Sequence, residues 1–245
     1  MLDFFAKDWQ GEPFQLFGAP HVIGLILILA INVWILFGWK NPSQRTRRIF
    51  RYALALLLVV DELTWHWWNW YVGSWSIQYT LPLHVCSIMV WLSAFMLVTE
   101  NFFLYDFIYF MGIGAATQAL LTPDAGIYGF PHFRFFQTLL SHGMIVTTAV
   151  YLTAIEGFRP TWKSLGKVVI GMNVYLAAIM IVNAILGSNY LFVAHKPETP
   201  TIIDLMPPWP WYILILEAMG LAISLILYIP FAIKDWRAKR VGAFN

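Results

Sequence analysis

The sequence predicts an all-α polytopic membrane bundle of about seven spanning helices, and three observations carry that prediction. Hydrophobic residues make up 60% of the 245-residue chain and charged residues only 11%. The apolar residues fall in blocks, and a spanning helix needs roughly 20 of them to cross a bilayer core. Most basic residues are concentrated in a few segments between and after those blocks, as the loops on one face of a membrane require.

The blocks lie at 20–39, 49–70, 82–99, 103–121, 134–155, 165–186 and 210–233, with the most polar interruptions in the second and fourth. They leave no room for a separate soluble domain, so 1–245 reads as a single integral membrane domain. The opening MLDFFAKDWQGEPF lacks the basic start, short apolar core and small-residue cleavage site of a signal peptide. The first helix is therefore expected to start insertion itself.

Twelve of the fifteen basic residues sit in three segments: Lys40, Arg45, Arg47, Arg48 and Arg51; Arg159, Lys163 and Lys167; and Lys234, Arg237, Lys239 and Arg240. With seven spans all three fall on one face. The positive-inside rule makes that face cytoplasmic, with the N-terminus out and the C-terminus in, in a multi-pass protein of the cell membrane. RTRRIFR at 45–51 is read as topology and anionic-lipid contact rather than as a nucleic-acid patch. No nucleic acid is expected as a partner, and the sequence names no protein partner.

On that topology the polar residues collect in the outer half of the membrane. Asp61, Glu62, His66 and Asn69 occupy the outer part of the second helix, and His84 and Cys86 the first turns of the third. Gln118 ends the fourth, His142 lies two turns into the fifth, Asn183 nears the outer end of the sixth, and Glu217 is two turns into the seventh. All six histidines, including His21, His132 and His195, fall in this half or in outer loops. Ionisable side chains at lipid depth are costly and mark functional cavities. The set therefore predicts one shared outer pocket. Glu62, His66 and Asn69 share a helix face at i, i+4, i+7, whereas Asp61 points about 100° away.

For Asn69, Gln118 and Asn183 taken singly, an interhelical hydrogen bond is the simpler expectation. Trp67, Trp68, Trp70 and Trp75 are assigned to the interfacial aromatic belt. The long loop GSNYLFVAHKPETPTIIDLMPPWPWY, with Pro197, Pro200, Pro207, Pro208 and Pro210, is expected to roof the pocket as a stiff cover.

Cys86 is the chain's one cysteine, which excludes an internal disulfide. A lone thiol in a spanning helix is most often packing. His66, His84, His142 and Cys86 are metal-ligand types, but no CxxC or HExxH pair is present, so no metal or cofactor is expected. The third reading is a nucleophile acylated by a lipid. His84 is separated from Cys86 by about 200° on a regular helix, so a base must come from another helix. His142 fits.

LPLHVC at 81–86, QALLTPD at 118–124, His142 within SHG, Asn189-Tyr190 followed by Lys196-Pro197, and PWPWY at 208–212 together resemble the YwaF family of bacterial integral membrane proteins. That family is related to a eukaryotic transmembrane acyltransferase that remodels phospholipids, and more loosely to membrane hydrolases with a Thr/His pair. The resemblance implies a six-to-seven-helix fold with Cys86 as nucleophile and His142 as base. Around that pair, His84, Glu62, His66, Asn69, Gln118, Asn183, Asn189, Tyr190, Lys196 and Glu217 are the candidate pocket residues. The resulting expectation is an intramembrane acyl-transfer enzyme, a phospholipid acyltransferase or lipid hydrolase, with membrane lipids as substrate. The competing expectation is a non-enzymatic seven-helix protein that holds or carries a small ligand in the same cavity.

Overall fold

The computed structural model describes residues 3–197 and 202–242. Among them seven long helices and no strand are found. They are α1 (Ala19–Val33, continued by a π turn over Trp34–Gly38), α2 (Gln44–Tyr71), α3 (Val85–Thr99), α4 (Phe103–Leu121, with a π turn at Ile108–Gly112), α5 (Phe133–Ala154), α6 (Trp162–Leu186) and α7 (Trp211–Gly242). Five of these, α1, α4, α5, α6 and α7, are long and apolar enough to cross a membrane. The chain is a helical membrane bundle. At 28 residues α2 has the length of a span but carries the charges of both its ends. The 15-residue α3 reaches only about 22 Å at 1.5 Å per residue.

Local chemistry sets the helix ends. Ser43 opens α2 by accepting from Thr46 N at 3.1 Å. Thr161 and Ser164 close a reciprocal capping box on α6. Gly187, at φ +62°, ends α6 in the left-handed conformation that a residue without Cβ adopts at no cost. His132 caps α5 through its ring: Nδ1 accepts from Arg134 N at 3.1 Å while Nε2–H donates to Ala6 O at 3.0 Å.

Helices α2, α3, α4 and α5 surround the main core, built on Leu58, Val90, Met96, Phe110, Ile145 and Leu152. Arg47–Glu156 at 3.6 Å and Arg159–Asp235 at 2.6 Å tie the helix ends together at the basic end of the bundle. The other end is aromatic. There the segment before α1 packs back onto the bundle: Trp68 Nε1 donates to Phe5 O at 3.1 Å and Tyr128 OH to Lys7 O at 3.0 Å. A Cβ at Gly129 would lie 2.3 Å from Glu12 O, so this close approach requires glycine.

Two expectations change. The third helix starts at Val85 rather than at Pro82, because Leu81–His84 is held outside the helix by tertiary bonds: Leu81 N donates to Tyr190 Oη at 3.0 Å, and Tyr175 OH to Leu83 O at 2.9 Å. Of the tryptophans assigned to an interfacial belt, Trp67 and Trp70 are exposed, but Trp68 is 3% exposed and belongs to the interior.

Candidate functional site

With α3 starting at Val85, Cys86 lies in the first helical turn, where the uncapped backbone N–H groups are. Its side chain is partly buried and packs on the main core. His84 is the N-cap residue, with an extended backbone at ψ 154° and no capping bond from its ring. That ring packs against Tyr190 at 5.3 Å and Phe192 at 5.2 Å. The neighbouring histidine thus packs on the loop after α6.

His142 stands mid-way along α5, on the face that continues through Ile145 and Ala149 into the core against which Cys86 packs. Its Nδ1 lies 2.7 Å from Thr138 O. A carbonyl only accepts, so Nδ1 carries the proton and Nε2 keeps its lone pair. Among the described residues no hydrogen bond joins Cys86 Sγ and His142, and none uses Nε2.

The polar residues of α2 divide between two neighbours, as their 100° offset requires. Asp61 faces α5: Gln137 Nε2 donates to Asp61 Oδ2 at 3.1 Å, and the Ser141 hydroxyl also faces that carboxylate. Glu62 faces α3, where the Trp91 indole is turned toward it without closing a hydrogen bond. Glu62 is 2% exposed and its Oε1 has no hydrogen-bond partner. Trp75 Nε1 donates to His66 Nδ1 at 3.2 Å, which leaves the proton of a neutral ring on Nε2, 3.7 Å from Glu62 Oε1. Asn69 bonds within its own helix, Nδ2 to Trp65 O at 2.9 Å.

Arg134, which is not among the residues expected from the sequence, joins this group. Its guanidinium lies 3.9 Å over the Trp65 ring, donates to Gln137 Oε1, and places its charge near Asp61 and Glu62. Gln137 thus bridges cation and anion, and the two buried carboxylates share one half-buried cation. The legible signal was Arg134, Gln137 and Ser141 at i, i+3, i+7, a polar stripe on an apolar helix.

The remaining candidates do not join that cluster. Gln118 is exposed, and its backbone carbonyl accepts from the Thr122 hydroxyl at 3.1 Å. Asn183 is buried but structural: it accepts from Tyr190 N and the Ser188 hydroxyl and donates to Tyr190 O at 2.9 Å. Asn189 folds the loop through Ala194 and His195, and Lys196 Nζ donates to Met206 O at 2.8 Å. Tyr190, fully buried, donates to Ile77 O at 2.7 Å and so pins this loop to the α2–α3 connection. Of the loop's prolines, Pro200 lies outside the described residues. Glu217 is exposed on α7, beside Asn173 in a shallow α6–α7 groove. The expected single pocket is therefore two arrangements. One is a charged cluster between α2, α3 and α5; the other is a loop that closes over the start of α3.

The family model described as the TMEM164 family matches residues 16–228. The chain belongs to the TMEM164 family. The matched stretch contains Cys86, His142, the α2–α5 cluster and the loop after α6, and ends within α7. The chain is also similar to an "Uncharacterized protein" of Treponema pallidum (strain Nichols), at 24% identity over 223 residues that cover 89% of this chain and 90% of the relative. No solved structure matches it. TMEM164 is a membrane-protein family, in keeping with the apolar helices; the match does not carry the YwaF name.

Proposed function

We propose that this TMEM164-family chain is an intramembrane acyl-transfer enzyme in which Cys86 is the nucleophile and His142 the base. The observation that carries the reading is the His142 tautomer: Nδ1–H is committed to Thr138 O at 2.7 Å, leaving Nε2 as a proton acceptor on a core-facing helix surface. Cys86 packs on the same core, at a helix N-terminus whose backbone N–H groups, free of any side-chain cap, can receive a developing oxyanion. The YwaF-like motifs LPLHVC and SHG support the same two residues.

In the proposed cycle Nε2 takes the thiol proton as Sγ attacks the ester carbonyl of a phospholipid. The tetrahedral intermediate collapses, the carbonyl–oxygen ester bond breaks, and His142 returns the proton to the departing lysolipid alkoxide. A second lysolipid hydroxyl, deprotonated by Nε2, attacks the thioester and releases Sγ as thiol; water in its place gives hydrolysis. The reading includes seven spans, with α2 and α3 completing the five apolar ones, an N-out orientation in the cell membrane, and lipid as the partner.

The test is acyl exchange between a labelled phospholipid and a lysolipid in vesicles containing the purified protein. Cys86→Ala and His142→Asn are expected to abolish exchange while retaining wild-type melting, and a hydroxylamine-labile acyl adduct should map to Cys86. Full exchange by a folded Cys86→Ala protein overturns the reading. The Asp61–Gln137–Arg134 network favours a second reading, a ligand-holding membrane protein without catalysis. That reading predicts no adduct at Cys86.

A further inference from the structure

At the basic end of the bundle, a cleft of about 390 Å³ opens between the end of α1, the start of α2 and the end of α5. Its walls are of two kinds. Ile35, Leu36, Trp39, Ala154 and Ile155 supply an apolar side, whereas Lys40, Asn41 and Arg47 supply a polar one. Trp39 is held rigid, stacked on Trp34 at 5.0 Å and edge-on to Phe50 at 4.8 Å.

The charges here do not cancel. Lys40 is exposed, Arg45 and Arg48 flank Arg47 on the first turns of α2, and the facing carboxylate is Glu156. Glu156 already accepts the Tyr151 hydroxyl at 2.5 Å and stands 3.6 Å from Arg47 Nη1, too far for a hydrogen bond. Arg47 Nε is meanwhile buried with no acceptor at all. A buried donor left unpaired is costly, and a guanidinium prefers to meet planar or phosphate oxygens with two parallel N–H groups. The N-terminus of the 28-residue α2 begins beside the cleft and adds its positive dipole end.

We infer that this cleft binds an anionic phosphate group, with Arg47 as the anchoring donor, Lys40 as the second cation, and the Trp39 wall receiving the glycerol and upper acyl carbons of a lipid. Phosphate chemistry is shared by an anionic lipid head group and by free phosphate, and a competition arm separates the two. The inference is independent of the acyl-transfer reading, because no residue of the cleft belongs to the Cys86–His142 arrangement.

Native mass spectrometry of the full chain in detergent, titrated with phosphatidylglycerol or with diacylglycerol, tests it. Phosphatidylglycerol should bind and diacylglycerol should not. Lys40→Gln, at an exposed side chain, should weaken binding several-fold, and Lys40→Gln/Arg47→Gln by about tenfold or more. Glu156→Gln should strengthen binding by removing the competing carboxylate, and Arg237→Gln, on α7 and outside the cleft lining, should leave it unchanged. Displacement of the lipid by inorganic phosphate supports a site that reads phosphate alone; retention supports a lipid head-group site. Equal binding of diacylglycerol, unchanged affinity in Lys40→Gln and the double variant, or an equal loss in Arg237→Gln overturns the inference. If the double variant fails to fold, the opposed shifts in Lys40→Gln and Glu156→Gln decide.

Discussion

Helices α5 and α6 are similar in length, 22 and 25 residues, yet they play opposite parts. The best apolar window of α5 has mean hydropathy 1.2 and is 67% buried; that of α6 has mean hydropathy 2.2 and is 17% buried. The more hydrophobic helix is the less buried one. In water that ordering would be perverse, but in a bilayer lipid is the apolar solvent, and the helix carrying Arg134, Gln137, Thr138, Ser141 and His142 must be hidden from it. Burial inside the bundle therefore follows polar content, and the chemistry goes with it.

The largest expected break in this contrast comes from charge. Arg134→Met keeps volume and apolar packing but leaves the buried Asp61 and Glu62 without their neighbouring cation. Breaking a buried charge arrangement typically costs about 3–5 kcal/mol. Thermal unfolding in detergent should show a loss of that order, and Asp61→Asn/Glu62→Gln in the same background should recover part of it. Recovery would show that the cost is uncompensated charge rather than lost contact with Trp65.

Apolar truncation gives the next-largest effect and sharpens the comparison directly. Ile145 of α5 is 0% exposed, whereas Ile181 of α6 is 63% exposed. Ile145→Ala should cost about 2–5 kcal/mol, as filled cores do. Ile181→Ala, facing lipid, should stay within about 0.5 kcal/mol. Equal losses at both positions would mean that α6 is covered by another protein surface.

These contrasts also show what was readable before the structure. The approximate ends of five helices, α1, α4, α5, α6 and α7, follow from apolar length, since lipid imposes that length on each span independently. The i, i+4 pair Glu62–His66 was legible because both residues sit on one helix. For Arg134 only its place in a polar stripe was legible; its partners depend on the register of α5 against α2, which brings it over Trp65 and near Asp61 and Glu62. The same holds for Trp68, whose indole N–H reaches Phe5 O across 63 residues, and for the start of α3, delayed to Val85 by Tyr175 and Tyr190. Asn183 looked like an intramembrane site residue, but its three partners lie in the turn that follows α6. Local pattern finds elements; partners supplied by distant segments do not appear in it.

A smaller effect is expected where α6 hands over to its loop. Asn183→Ala strands the Tyr190 N–H and carbonyl in a buried site, a cost of about 1–3 kcal/mol. Because Tyr190 pins the loop to Ile77 and Leu81, the loss should appear as faster proteolysis between Gly187 and Pro197, with the helices staying protected. Uniform loss of protection would instead place Asn183 in the global core.

The smallest predicted effect lies at the aromatic end, where α5 meets the N-terminal segment. His132 is fully buried, and burial, the leading cause, lowers its pKa below the ordinary histidine range; the nearby Arg134 charge acts in the same direction and the bond to Ala6 against it. Protonation would also destroy the cap, since Nδ1 accepts from Arg134 N and an imidazolium has no lone pair to offer. The sign follows from linkage. With the folded pKa below the unfolded one, the unfolded chain binds the proton more readily, so stability is intact above the unfolded value of about 6.5 and falls as pH drops below it. Between about pH 7 and pH 5, protease access to residues 3–13 should therefore rise in the wild type. His132→Asn, which keeps an oxygen acceptor for the cap without titrating in that range, should flatten the dependence. A variant that keeps the full pH response would move the switch away from His132.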